Sequence, residues 1–108
     1  MAWKFNAGVT TTAGYYSWWL YGANGELTAW AGETFPSSSN ATRAAQAFKA
    51  GAATARYETY QDASGKWRWR AWRSSDKVAA SGESFASKSN AERAADAVKA
   101  NAPYATGP

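Results

Sequence analysis

The sequence predicts one α+β domain over residues 1–108, built from two repeats of about 1–54 and 55–108, each three strands followed by a helix. Three observations carry this: an internal duplication, a strand whose basic and aromatic residues alternate, and two helices with matching alanine stripes. The duplication comes first. At an offset of fifty residues, Gly32-Glu33-Thr34-Phe35 lies over Gly82-Glu83-Ser84-Phe85, and 13 of the 19 positions from Gly32 to Ala50 are identical. Upstream the register weakens, with Trp19 over Trp69 and Ala29 over Ala79.

In the second repeat, Arg56 to Tyr60 is rich in strand formers and runs into the turn Asp62-Ala63-Ser64-Gly65. Lys66-Trp67-Arg68-Trp69-Arg70 alternates with period two, the mark of a strand with two unlike faces. A turn at Ser74-Ser75-Asp76 leads to a strand from Lys77 to Ser81. In the first repeat the first strand spans Trp3 to about Ala7, and Asn24-Gly25 supplies a hairpin turn. For the helices, Ser89 with Glu92 reads as a capping box. Ala91, Ala94, Ala95 and Val98 then form one apolar stripe, repeated by Ala41, Ala44, Ala45 and Phe48. Asp96 and Lys99 are spaced to pair on the outer face. Gly51 stops the first helix, and Asn101 with Pro103 the second.

Composition supports the same construction. The chain has 26 Ala against three Val, two Leu and no Ile, so large apolar volume comes from seven Trp, six Tyr and four Phe. Bulky rings must therefore pack on small alanine surfaces. With no His and no Cys, imidazole bases, thiol nucleophiles, disulfides and the common zinc and iron–sulfur sites are excluded. No metal site, cofactor or phosphate-binding glycine loop is expected. The N-terminal residues lack a leader pattern and no apolar run is long enough to span a membrane, which points to a cytoplasmic chain.

Lys66-Trp67-Arg68-Trp69-Arg70, then Gly82-Glu83-x-Phe85-x-Ser87-Lys88-x-x-Ala91-Glu92-Arg93, then Val98-Lys99-Ala100-Asn101-Ala102-Pro103, resembles the YegP-like family, small proteins of unknown function. The resemblance implies two β-β-β-α-β repeats in one antiparallel sheet, both helices on one face and the terminal strands exchanged. Such a chain is a monomer that behaves as an internal pseudo-dimer. The family brings no activity with it.

If the helices cover one sheet face, the other is open. Alternation allocates Trp67, Trp69 and Ala71 to one side, and Lys66, Arg68, Arg70 and Trp72 to the other. The ungapped alignment places Tyr16, Trp18 and Leu20 beside the latter. The leading candidate function is binding of single-stranded nucleic acid, with phosphates on Lys66, Arg68, Arg70 and Arg73 and bases stacked on Trp18, Tyr16 and Trp72. The net charge of +4 agrees in sign. The alternative is a protein-interaction or structural module using the same rings. An acid/base pair of Glu33 and Glu83 is the one catalytic arrangement the sequence suggests. The expectation is a non-enzyme.

Overall fold

The computed structural model describes residues 2–108. Strands β1 (Lys4–Val9), β2 (Tyr16–Tyr21) and β3 (Leu27–Trp30) precede helix α1 (Ser38–Gly51). Strands β4 (Arg56–Gln61), β5 (Trp67–Arg73) and β6 (Asp76–Ser81) precede helix α2 (Lys88–Asn101), and a 3-10 turn covers Ala102–Tyr104. The six strands form one antiparallel sheet in the order β1-β2-β3-β6-β5-β4. The two halves therefore meet at β3 and β6, where Ala29 faces Ser81 and Trp30 faces Ala80.

Both helices lie on one face, as expected for an α+β fold of this kind. Helix α1 packs on β1 and β2, and α2 on β4 and β5. Their alanine stripes allow this close approach: Ala41, Ala45 and Phe48 are buried from α1, and Ala91, Ala95 and Val98 from α2. The sheet supplies Phe5, Trp18, Leu20, Ala29, Trp69, Ala71 and Ala79 to the same continuous core. In the first half Trp18 stacks on Phe48 at 5.2 Å and meets the edge of Phe5 at 5.5 Å. In the second half a valine replaces Phe48, and Tyr57 fills space beside Trp69 at 5.6 Å. Burial pushes the Tyr57 hydroxyl well above the ordinary tyrosine range, and that hydroxyl donates to the Ala52 carbonyl at 2.8 Å.

Several local expectations are corrected. The helix caps are Ser37 and Ser87, not a Ser89–Glu92 box: each is extended, and its Oγ accepts from the amide three residues on, Asn40 or Asn90, at 3.1 Å. The helix thus begins before Ser89, which places Glu92 beyond the capping turn. Among the described residues Asp96 and Lys99 form no ion pair. Gly51 lies inside the end of α1 rather than beyond it.

The terminal-strand exchange is reduced to one contact. Thr106 bridges Lys4 in parallel, with Phe5 N donating to Thr106 O and Thr106 N to Trp3 O, both at 2.8 Å. The first half has no counterpart, because its chain runs from α1 directly into β4.

Candidate functional site

The face of the sheet away from the helices follows from strand alternation. One row crosses all six strands through successive register partners: Asn6, Trp19, Trp30, Ala80, Arg70 and Glu58. Tyr21 beside Lys4, Trp72 beside Arg56, and Arg68 beside Tyr60 share this face. None of the rings Trp19, Tyr21, Trp30, Tyr60 and Trp72 is fully buried.

The second half of this face is the more polar. Arg70 lies 4.2 Å from the centre of the Tyr60 ring and 5.5 Å from that of Trp72. Its Nε donates to Glu58 Oε1 at 2.7 Å, and Trp72 Nε1 donates to the same oxygen at 3.3 Å. Those two hydrogen bonds, Arg70 first, hold the Glu58 carboxyl below the usual carboxylate range. Arg56 also lies 5.8 Å from the centre of the Trp72 ring. Arg68 donates to Asp62 Oδ2 at 2.9 Å.

Asp62 is a turn residue in its own right. Its Oδ1 accepts from the Ser64 hydroxyl at 2.7 Å and from the Ser64 and Lys66 amides at 3.0 Å. The Ser64 hydroxyl, then Arg68, lower its pKa to about 2. An unfolded aspartate titrates near ~3.9, so stability from this group is fully present above that pH and is lost as pH falls through about 2. A carboxyl NMR titration of Asp62 will therefore find its midpoint near pH 2, and Asp62→Asn will remove that contribution; an ordinary aspartate midpoint would contradict the turn geometry.

The nucleic-acid candidates divide. Arg68, Arg70 and Trp72 occupy the open face as expected, and Lys66 is exposed in the turn just before β5. Trp18, Tyr16 and Arg73 do not belong to it. Trp18 is wholly buried beneath α1, and half-buried Tyr16 shares its side of β2, its backbone paired with Phe35. Arg73 turns the other way, and its guanidinium donates to the Ala47 carbonyl at 2.7 Å near the C-terminal end of α1, where a positive charge is favourable.

One residue explains the first-half error. Five residues, Gly22 to Glu26, separate the partners Tyr21 and Leu27, whereas four, Arg73 to Asp76, separate Trp72 and Lys77. Trp18 is thus the structural counterpart of Trp69, and Trp19 that of Arg70. A one-residue slip moves every strand side chain to the opposite face. The aromatic residues missed on the open face, Trp19, Tyr21 and Trp30, follow from counting that loop.

Glu33 and Glu83 do not form a pair. Glu33 lines a cleft of about 180 Å³ with Phe35, Ala47 and Lys77, while Glu83 lines another of about 120 Å³ with Phe85, Ala97 and Leu27. They follow β3 and β6, which run antiparallel, and so stand at opposite ends of the central strand pair. Among the described residues no group of three or more acidic side chains could hold a metal ion, and no helix is long and apolar enough to cross a membrane.

Residues 62–106 match the family described as Domain of unknown function (DUF1508). Two solved structures share the fold, each over 98% of this chain with a TM-score of 0.80. One is a UPF0339 protein from Shewanella oneidensis, 16% identical and covered over 89% of its length. The other is the protein of unknown function YegP from E. coli, 21% identical and covered over 90%. No curated protein matches the chain. The DUF1508 match and these two folds support the YegP-like family assignment read from the sequence. At these identities the two structures inform the fold alone.

Proposed function

We propose that this chain is a non-catalytic binding module, a fused duplication whose open sheet face takes single-stranded nucleic acid. The observation that carries the reading is the side-by-side placement of Trp19 and Trp30 as register partners, with Tyr21, Tyr60 and Trp72 on the same face and Arg56, Arg68 and Arg70 among them. Bases stack on such rings at about 1–3 kcal/mol each, with little dependence on sequence. Lys4, Arg56, Arg68 and Arg70 would meet phosphates, with Lys66 at the margin. A cytoplasmic location goes with this reading.

The test is anisotropy of a labelled mixed-sequence single-stranded oligonucleotide, RNA and DNA, at two salt concentrations. With four phosphate contacts the logarithmic salt slope is about −3, so affinity falls roughly fifty-fold for a fourfold rise in salt. Absence of binding at low salt would overturn the reading.

A second reading has its own support. Arg70 is committed to Glu58 and two rings, and Arg68 to Asp62, so part of the basic charge is already neutralised within the face. That favours a protein partner held through the rings. Weak salt dependence of its binding would distinguish it.

A further inference from the structure

The two edges of the sheet are finished differently. At the β1 edge, the segment around Thr106 bonds Phe5 N and Trp3 O. At the other edge, the strand hydrogen bonds of β4 run to β5 alone among the described residues. The side of β4 that faces outward can be read from β5. Trp69 N points towards β6, where it donates to Ser81 Oγ at 3.4 Å. Successive backbone groups of a strand alternate in direction, so Arg68 and Arg70 bond Tyr60 and Glu58 in β4. Tyr57, Thr59 and Gln61 consequently aim their N–H and C=O groups away from the sheet.

Among the described residues no proline, bulge or covering element blunts this edge, whose charges are Arg56 and Glu58. Arg56-Tyr57-Glu58-Thr59-Tyr60-Gln61 contains no Pro, Gly or Lys and is rich in strand formers. Helix α2 does not close over it either, because Tyr57 and Thr59 line an open groove of about 500 Å³ with Arg93 and Asp96.

The geometry points to this edge as a self-association surface, where β4 of a second copy pairs antiparallel about a two-fold axis through Thr59. In that register Thr59 faces Thr59, Tyr57 faces Gln61, Glu58 faces Tyr60 and Arg56 faces Asp62 of the second copy. Threonine pairs and opposite charges across strands are both favourable. The outward-pointing residues Tyr57, Thr59 and Gln61 all fall in hydrogen-bonded pairs. Shifting by two residues in one direction sets Glu58 against Glu58, and in the other against Asp62. Shifting by one sets open-face side chains against helix-face ones. The sequence is therefore self-complementary in one register, and an isologous two-fold interface requires that property. The result is a continuous twelve-stranded sheet with both open faces on one side. This replaces the monomer expected from the sequence, and it is independent of what the open face binds.

Sedimentation of the full chain from about 1 µM to about 1 mM tests the proposal, with a doubling of mass as the expected result. Thr59→Pro removes an outward donor that β5 does not use, so it will give a monomer with an unchanged far-UV spectrum. The chain has no cysteine, so a single introduced one reports the register. Thr59→Cys, about 5.5 Å from its counterpart in Cα separation, will oxidise in air to a covalent dimer. Gln61→Cys, roughly 13 Å or more from its counterpart, will not. A monomer across the whole range would overturn the proposal. So would a dimer that survives Thr59→Pro, or equal cross-linking at both positions.

Discussion

Trp18→Ala will destabilise the domain by about 3–5 kcal/mol, a large part of the ~5–15 kcal/mol that holds a domain of this size together. Trp19→Ala, one position further along the same strand, will cost clearly less. The difference follows from the faces. Trp18 has no exposed surface, stacks on Phe48 and receives the edge of Phe5, so truncation opens a cavity that two aromatic neighbours border. Trp19 is only partly buried on the open face beside Trp30. Trp18 Nε1, like Trp69 Nε1, is buried without a hydrogen-bond partner. Its value to the core is thus its ring, and Trp18→Phe will lose less than Trp18→Ala. Urea unfolding of the variants measures all of this, and equal losses at Trp18 and Trp19 would contradict the face assignment.

Gly82→Ala will be strongly destabilising. Gly82 directly follows β6, where the two halves join, and its amide donates to the Thr28 carbonyl at 3.1 Å. A β-carbon there would lie 2.6 Å from the Leu27 carbonyl oxygen and 2.8 Å from Leu27 Cγ. The obstacle is backbone, so relief requires moving β3 against β6, at a cost of about 1–3 kcal/mol or more. Gly8→Ala is the contrast, since nothing lies within 4 Å of a β-carbon at that site. It will be neutral or slightly stabilising through the unfolded chain. Thermal denaturation of the pair decides, and a Gly82→Ala protein as stable as Gly8→Ala would contradict the close approach of the central strands.

The fold was largely legible because its signals are local. Three strands and a helix per half, the alanine stripes and the turn at Asp62 are each written in adjacent residues. The start of the second helix was misplaced because Ser87 and Ser89 both suit a cap, and only backbone geometry selects the first. The site was half legible. Around Trp67 to Trp72, arginines mark one face unambiguously. In β2 both faces carry rings, Tyr16 and Trp18 against Trp19 and Tyr21, so composition could not choose between them. The ungapped offset then chose wrongly, because the extra residue between Tyr21 and Leu27 leaves the identities after Gly32 untouched. Arg73 was misread for a related reason: its partner, the Ala47 carbonyl, lies 26 residues away in sequence.

The proposed function rests on which tryptophans meet a ligand, and nitrogen-15 NMR of the seven indole N–H groups during titration with a single-stranded oligonucleotide tests this most directly. The account predicts saturable shifts at Trp19, Trp30 and Trp72, with Trp18 and Trp69 unmoved beneath the helices. An unchanged spectrum, or shifts centred on Trp18 and Trp69, would contradict it.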